Sequence, residues 1–135
     1  MDRTLVICKP DAVERGLVGE IVGRLERKGL RLVAAELRSI NSDTASQLYE
    51  AHREKPFFAD LVAFVTRSAS VVLVAEGPQD TWRVVRALMG ATNAAEAAPG
   101  TVRGDLGLGT TENLVHGSDS AESAGREIAL FFPDL

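Results

Sequence analysis

The feature of this sequence that most constrains its fold is an alternation of short apolar runs with segments of helical periodicity. Residues 4–8 are apolar or β-branched, and Lys9 and Pro10 follow them directly. Because Pro10 cannot donate a ladder hydrogen bond, a buried strand should end there. In residues 19–28 the apolar side chains recur at helical spacing, and Gly29 stands where a helix would end. The chain therefore begins with a predicted strand and a predicted helix.

The same alternation continues along the rest of the chain. Further strands are predicted at residues 30–40, 70–75 and 114–115, and further helices at residues 43–51, from Pro56, at 79–89 and at 120–132. Both faces of 30–40 carry apolar residues, which favours cover by a helix or a neighbouring subunit. Residues 90–113 have little periodicity, which is typical of a functional loop or a disordered linker.

This order of elements indicates the fold class. We expect an α+β protein, a ferredoxin-like (split βαβ) sandwich with helices on one face of a four-stranded antiparallel sheet. A length of 135 residues suits one domain with a genuine core, and the sequence has no internal repeat. Residues 1–135 are therefore predicted to form a single domain.

Composition and charge exclude several classes of protein. The formal net charge of -4 argues against general nucleic-acid binding, which usually requires a basic excess. Cys8 is the only cysteine and lies in an apolar run, so we expect a buried thiol, no intrachain disulfide and a reducing compartment. The first residues do not resemble a secretory signal, and no apolar stretch approaches the length of a membrane span. The prediction is a soluble cytoplasmic protein without a membrane partner.

The chain has none of the common glycine-rich phosphate loops or metal-binding motifs. It lacks G-x-x-x-x-G-K-[ST], a G-x-G-x-x-G after a strand, C-x-x-C and H-E-x-x-H. A bound phosphate would therefore need side chains, and the candidates are Lys9 at a strand end, Arg86 on a helix, and Thr92 and Arg103 in the long loop. Each of these residues alone is more often an ordinary surface residue. Together they favour an anion site.

His116 lies between a short apolar run and a glycine, in the stretch NLVHGSDS. A histidine at a strand end is by default structural, but its neighbours favour a chemical role. Gly117 permits close backbone approach or unusual dihedrals, and Asp119 with Glu122 fits a capping box, so a helix N-terminus should face the imidazole. Glu127 on that helix can point back to orient the ring. These features support a nucleophilic histidine.

Four stretches together resemble the nucleoside diphosphate kinase family. They are RTLVICKPDAVERGLVGEIVGRLERKGL, EKPFFADLVAFV, GATNAAEAAPGTVRGD and NLVHGSDSAESAGREIALFF, and they span nearly the whole chain. The resemblance implies an enzyme that transfers the γ-phosphate of a nucleoside triphosphate to a nucleoside diphosphate. It implies a ping-pong mechanism through a phosphohistidine, broad base specificity, and Mg²⁺ held mainly by nucleotide phosphates and water rather than by protein ligands.

The resemblance also assigns roles in phosphoryl transfer. His116 would be the nucleophile and would attack through Nδ1. Glu127 and Ser118 would position its ring. Lys9 would contact the transferred phosphate and the sugar hydroxyl, with Tyr49 nearby.

A second set of residues would bind the nucleotide. By resemblance, its phosphates would be held by His52, Arg86, Thr92 and Arg103. Asn113 would bond to the ribose and Phe57 would stack on the base. One aromatic face rejects little, because every base has a π face.

Three stretches depart from the family's usual pattern. Glu112 stands where an arginine-rich approach is usual, Ala94 replaces a proline, and Arg67-Ser68-Ala69 replaces Ser-Gly-Pro. Glu112 either weakens nucleotide binding or alters a subunit contact. None of the departures removes a residue assigned above.

Two further expectations concern assembly and alternatives. The family forms homo-oligomers, and we favour a hexamer over a tetramer for this chain. The alternative function is a catalytically silent nucleotide-binding or interaction module. The complete set of site residues argues against that alternative, and the acidic balance argues against a nucleic-acid-binding regulator.

Overall fold

The sheet is four-stranded, antiparallel and ordered β2-β3-β1-β4. In this computed structural model, which describes residues 1–135, the strands are β1 (Asp2–Cys8), β2 (Arg31–Arg38), β3 (Ser70–Gly77) and β4 (Val115–Gly117). The central strands β1 and β3 pair along their whole length, and β4 pairs with the end of β1. The predicted fold class is confirmed.

The helices connect these strands at their ends. They are α1 (Pro10–Glu14), α2 (Val18–Lys28), α3 (Ser42–Leu48), α4 (Phe58–Val65), α5 (Thr81–Met89), α6 (Val102–Leu106) and α7 (Ala121–Phe131), with 3₁₀ turns at Glu50–His52 and Ala94–Glu96. None of them is both long enough and apolar enough to span a membrane.

Two of the short helices differ from the sequence prediction. Helix α1 begins at Pro10, whose fixed φ and missing N–H suit the first position of a helix. Helix α6 lies inside the region predicted as an irregular loop, where the Thr101 hydroxyl caps it by accepting from the amide of Gly104. Both helices have five residues, too few to show helical periodicity in the sequence.

Helices cover both faces of the sheet, whereas one covered face was expected. Val6, Cys8 and Leu73 point to a core shared with α2 and α5, and neighbouring strand residues point to a second core shared with α3, α4 and α7. The cause is visible in β1, whose last five residues are all buried. A strand that is apolar on both sides is stable only when each side is covered, since a fully buried aliphatic side chain contributes about 1.5–3 kcal/mol.

Strand β2 forms one edge of the sheet and is less regular than predicted. Its register shifts between Leu32 and Ala34, so the regular alternation of side chains between the two faces is interrupted by a bulge. Val33 and Ala34 pack on one core, Leu32 packs on the other, and Leu37 remains 65% exposed. The chain alone therefore leaves apolar surface uncovered along this edge.

Gly117 lets the last strand pack closely against α5. A Cβ added at this position would lie 2.5 Å from Sδ of Met89 and 3.3 Å from Cγ1 of Val85. Its φ is not in the left-handed region, so the glycine is required by space and not by unusual dihedrals. The close approach fixes the depth at which the preceding residue, His116, sits beside β1.

We predict that Gly117→Ala lowers the free energy of unfolding by about 1–3 kcal/mol, because the new methyl group overpacks the contact with α5. Urea unfolding followed by circular dichroism measures the change. The matched control is Gly125→Ala on α7, where the added Cβ meets nothing within 4 Å. Alanine should stabilise that exposed helical position by up to about 1 kcal/mol. Equal effects of the two substitutions would contradict the close packing.

Candidate active site

A cavity of about 570 Å³ opens beside the end of β1 and the edge strand β4. Most of the residues assigned from the sequence line this one cavity. They are Lys9, Tyr49, His52, Phe57, Arg86, Thr92, Arg103, Asn113, His116 and Glu127. The remaining residue, Ser118, is fully buried behind the wall. The structure therefore brings residues that are far apart in the sequence together at one cavity.

The imidazole of His116 is held on one side by a carboxylate. Its Nε2 lies 2.7 Å from Oε1 of Glu127, and the same oxygen accepts from the hydroxyl of Ser118 at 2.9 Å. The Ser118 hydroxyl in turn accepts from the amide of Leu5 at 3.3 Å. An ionised carboxylate can only accept, so Nε2 carries the proton in the neutral ring and Nδ1 keeps its lone pair. The ring thus presents an unprotonated nitrogen.

Two further contacts fix the position of His116. The residue pairs with Ile7 across the β1–β4 ladder, and the ring of Tyr49 meets the imidazole edge-on at 6.2 Å between centroids. The His116 side chain is 16% exposed, so it reaches the cavity from a largely buried position. Limited exposure leaves the ring few alternative orientations.

Lys9 lies almost fully buried at the end of β1. Its Nζ donates to Oδ1 of Asn113 at 2.8 Å, and the residue is 4% exposed rather than emerging freely at the sheet end. Burial lowers the pKa of Lys9 from the ordinary 10.5 to about 8. The nearby Arg103 lowers this pKa further, whereas Asp11 opposes the shift. The ammonium group is therefore poorly solvated and short of counter-charge.

Arg103 is also buried and is held by backbone carbonyls. Its guanidinium donates to the carbonyls of Gly90, Asn113 and Val115, at 3.1, 3.1 and 2.6 Å. Burial lowers its pKa to about 10, and the charge of Arg86 lowers it further. These bonds use three of the five guanidinium N–H groups, so donors remain for an anion in the cavity. Arg86 itself donates from α5 to the carbonyl of Gly117 at 3.1 Å.

Aromatic rings also line the cavity. The His52 ring lies 5.4 Å from that of Phe57 and 6.5 Å from that of Tyr49, measured between centroids. Phe57 is 44% exposed at the rim, which makes its face available to a flat ligand. The cavity thus has a cationic end next to His116 and an aromatic end near its mouth.

A hydrogen bond between Thr92 and Asn113 links the two ends of the 90–113 segment. Nδ2 of Asn113 donates to the Thr92 carbonyl at 2.8 Å, while its Oδ1 accepts from Lys9. Asn113 is 2% exposed, and one N–H of its amide remains available to a ligand. The segment predicted as a loop or linker is therefore anchored at the cavity.

Comparison with known proteins identifies the family. A family profile described as nucleoside diphosphate kinase matches residues 2–135. The chain belongs to the nucleoside diphosphate kinase family. It is 58% identical over 135 residues to the nucleoside diphosphate kinase of Frankia casuarinae, with 100% of this chain and 98% of the relative aligned. The resemblance to this family and the prediction of an enzyme are both confirmed.

Solved structures of this family share the fold. The nucleoside diphosphate kinase of Halobacterium salinarum, solved in complex with CDP, is 50% identical, with a TM-score of 0.95 over 98% of this chain and 88% of that one. The enzyme of Encephalitozoon cuniculi is 36% identical, with a TM-score of 0.96 over 99% and 90% of the two chains.

One predicted motif beside His116 is wrong. Asp119 and Glu122 do not form a capping box. The cap is Ser120, whose hydroxyl accepts from the amide of Ser123 at 3.0 Å, because Ser120 has the extended backbone that a capping residue adopts. Asp119 instead lines the cavity, and a bond from the Ser123 side chain holds the pKa of its carboxyl below the ordinary value.

Several lining residues were not predicted from the sequence. They are Leu48, Ala51, Leu61, Thr110, Thr111, Val115, Gly117, Asp119, Ser123 and Arg126. For most of them no sequence pattern points to the cavity. The sequence pattern predicts Asp119 only as a helix cap, although an acid directly beyond the His-Gly-Ser run is also a signal for a second role.

Two of the departures from the family pattern, Glu112 and Arg67, form an ion pair with each other. The Glu112 carboxylate accepts from Arg67 at 3.3 Å, and Arg67 also binds Glu14 at 2.6 Å. Glu112 lines a separate cleft and not the main cavity. Its negative charge is thus directed toward Arg67 and away from the cationic end.

The buried position of Lys9 predicts a measurable pH dependence of stability. Below pH 8 folded and unfolded chains both hold the proton, whereas between about 8 and 10.5 only the unfolded chain does. Stability contributed by this group therefore rises with pH across that window, by about 3 kcal/mol in total. The measurement is urea unfolding of wild type and of Lys9→Met from pH 7 to 10.5. We expect the difference between their free energies of unfolding, wild type minus variant, to rise by that amount. A flat or falling difference would contradict the buried ammonium.

Proposed function

We propose that this chain transfers the γ-phosphate of a nucleoside triphosphate to a nucleoside diphosphate through a phosphohistidine on His116. The observation that carries the proposal is the geometry of one ring. Nε2 of His116 is bound to Glu127, and the ring lines a cavity that also holds Lys9, Arg86 and Arg103. A nucleophile with a fixed tautomer beside clustered cations is what phosphoryl transfer requires.

The transfer balances in two steps. In the first, the lone pair of Nδ1 attacks the γ-phosphorus, the bond to the β–γ bridging oxygen breaks, and the nucleoside diphosphate leaves. Nε2 keeps its proton, and the positive charge that develops on the ring is stabilised by Glu127. In the second, a terminal oxygen of the acceptor diphosphate attacks the phosphorus, and the bond to Nδ1 breaks. The imidazole returns to its starting state, which is a ping-pong cycle.

Positive charge near His116 supports stabilisation of the transition state. The transferred group spreads negative charge over its oxygens, and Lys9, Arg86 and Arg103 would face it without rearrangement because their side chains are already bonded in place. Thr92 and His52 would complete the phosphate contacts. Tyr49 would assist Lys9, and Ser118 would hold the carboxylate of Glu127 through its hydroxyl.

The aromatic end of the cavity supports broad base specificity. Phe57 would stack on the base at the rim, and Asn113 would bond to the ribose through its remaining N–H. Stacking on one exposed ring tolerates every base, because it uses the π face and not the hydrogen-bonding edge. The sugar and phosphates would then provide most of the recognition.

Magnesium fits this cavity as a companion of the nucleotide. No group of His, Cys, Asp and Glu side chains in the structure could hold a metal ion alone. Of the two carboxylates that line the cavity, Glu127 is bound to His116 and Ser118, which leaves Asp119. We infer that Mg²⁺ would be held mainly by phosphate oxygens and water, with Asp119 as the available protein acid. The ion would neutralise charge on the phosphates.

Organisation and assembly are part of the same proposal. Residues 1–135 would act as one nucleoside diphosphate kinase-like domain in the cytoplasm. The exposed Leu37 on the unpaired edge of β2 supports a homo-oligomer, and we favour a hexamer over a tetramer. Light scattering measures the molar mass of the assembly, and the mass of a tetramer would contradict the prediction of a hexamer.

The test is transfer of label from γ-labelled ATP with magnesium. We expect wild type to acquire an acid-labile, alkali-stable label that moves to unlabelled GDP, and His116→Ala to acquire none. The chain has two histidines, so His52→Ala is the matched control and should still be labelled, although at higher nucleotide concentration. Chelation of the magnesium should slow the labelling.

Two outcomes would contradict the proposal. If His116→Ala acquired the label, another residue would be the nucleophile. An unlabelled wild type that still binds nucleotide would favour the catalytically silent module.

A further inference from the structure

A strained turn lies two residues before His116. Leu114 has a φ of 75°, a left-handed conformation that residues other than glycine rarely adopt. The amide of Val115 donates to the carbonyl of Asn113 at 2.9 Å, which closes a γ-turn around Leu114. A γ-turn with positive φ is the rare, strained form and persists only when its surroundings hold it.

Asp11 and Lys9 hold this turn at both of its polar groups. Oδ2 of Asp11 accepts from the amide of Leu114 at 3.1 Å, and the amide of Lys9 donates to the carbonyl of Leu114 at 2.9 Å. The Leu114 side chain is fully buried in the core, so the residue cannot relax outward. The start of α1 is thus fastened to the segment that leads into β4.

The turn sets the positions of the groups that face the phosphate end of the cavity. The carbonyls on either side of Leu114, those of Asn113 and Val115, both accept from the guanidinium of Arg103. The Asn113 side chain accepts from Nζ of Lys9. A change of φ at Leu114 would rotate both carbonyls and move the following residue, His116.

The burial of Asp11 has an energetic cost. The residue is 5% exposed, and its second oxygen, Oδ1, is buried without a hydrogen-bond partner. Burial raises the pKa of Asp11, although the amide of Leu114 and the charge of Lys9 oppose the rise. An ordinary acid in the first turn of a helix would lie at the surface, as Asp43 does in α3.

We propose that Asp11 is a positioning residue for phosphoryl transfer. Its carboxylate holds Leu114 in the left-handed turn, and the turn sets Asn113, Arg103 and His116 for the reaction. Asp11 does not line the cavity, so it acts through these residues and does not touch substrate. The inference rests on the proposed function, because the readout of positioning is the phosphorylation of His116.

The test compares Asp11→Ala, which removes the acceptor for the Leu114 amide, with Asp11→Asn, which keeps an oxygen of the same shape there. We expect Asp11→Ala to slow single-turnover phosphorylation of His116 by about ten-fold or more, because small displacements of reacting groups carry large rate penalties. Asp11→Asn should retain more activity than Asp11→Ala. Hydrogen exchange should become faster at the Leu114 amide in Asp11→Ala than in wild type.

Two controls separate positioning from loss of stability. Ile21→Val trims a buried side chain of α2 away from the cavity, and it should lower the melting temperature while leaving the phosphorylation rate unchanged. Asp43→Ala removes an exposed acid from the first turn of another helix and should change neither property.

Several outcomes would overturn the inference. Wild-type phosphorylation by Asp11→Ala would do so, as would a rate loss in Ile21→Val equal to that in Asp11→Ala. If Asp11→Ala does not fold, the exchange of the Leu114 amide can still be measured in wild type. Rapid exchange there would overturn the inference, because it would show that Asp11 does not hold this amide. The exchange measurement needs no turnover, so it stays informative even where wild type takes no label and the proposed function itself fails.

Discussion

The chemistry of this site depends on the bond between the Glu127 carboxylate and Nε2 of His116. That bond fixes which nitrogen carries the proton and which one faces the cavity. It exists because α7 begins directly beyond β4, so a carboxylate on the helix can reach back to a ring on the strand. Ser118 holds the same oxygen and is itself bound to the backbone of β1. The central strand of the sheet therefore supports the orientation of the ring.

The cationic end of the cavity lowers the stability of the folded chain. Lys9 and Arg103 are both buried, and each has its pKa lowered by burial and by a neighbouring positive charge. Such a cluster destabilises the folded chain until an anion enters the cavity. An anion that binds there relieves this repulsion, so ligand binding and stability are linked. The same bonds that hold the cations to backbone carbonyls also keep them from rearranging during a reaction.

The sequence predicts most elements of the fold because their periodicity is local. It misses α1 and α6, which are too short to show a period, and it does not anticipate that α3, α4 and α7 cover the second face of the sheet. The site residues can be chosen from the sequence because they lie in motifs that resemble a family, and all of them except Ser118 line one cavity. Asp11 lies in one of these motifs, but its role is missed because its bond joins residues 103 positions apart and leaves no local pattern. The Arg67–Glu112 pair, at 45 positions, is missed for the same reason.

The central claim is that Glu127 leaves Nδ1 of His116 as the nitrogen that accepts the phosphoryl group. The most direct measurement is a ¹⁵N–³¹P correlation spectrum of the phosphorylated protein, labelled with ¹⁵N at histidine and kept at alkaline pH, where phosphohistidine survives. The account predicts coupling of phosphorus to Nδ1 and a proton on Nε2. Phosphorus coupled to Nε2 would contradict it, because that nitrogen would first have to leave the carboxylate that organises the site.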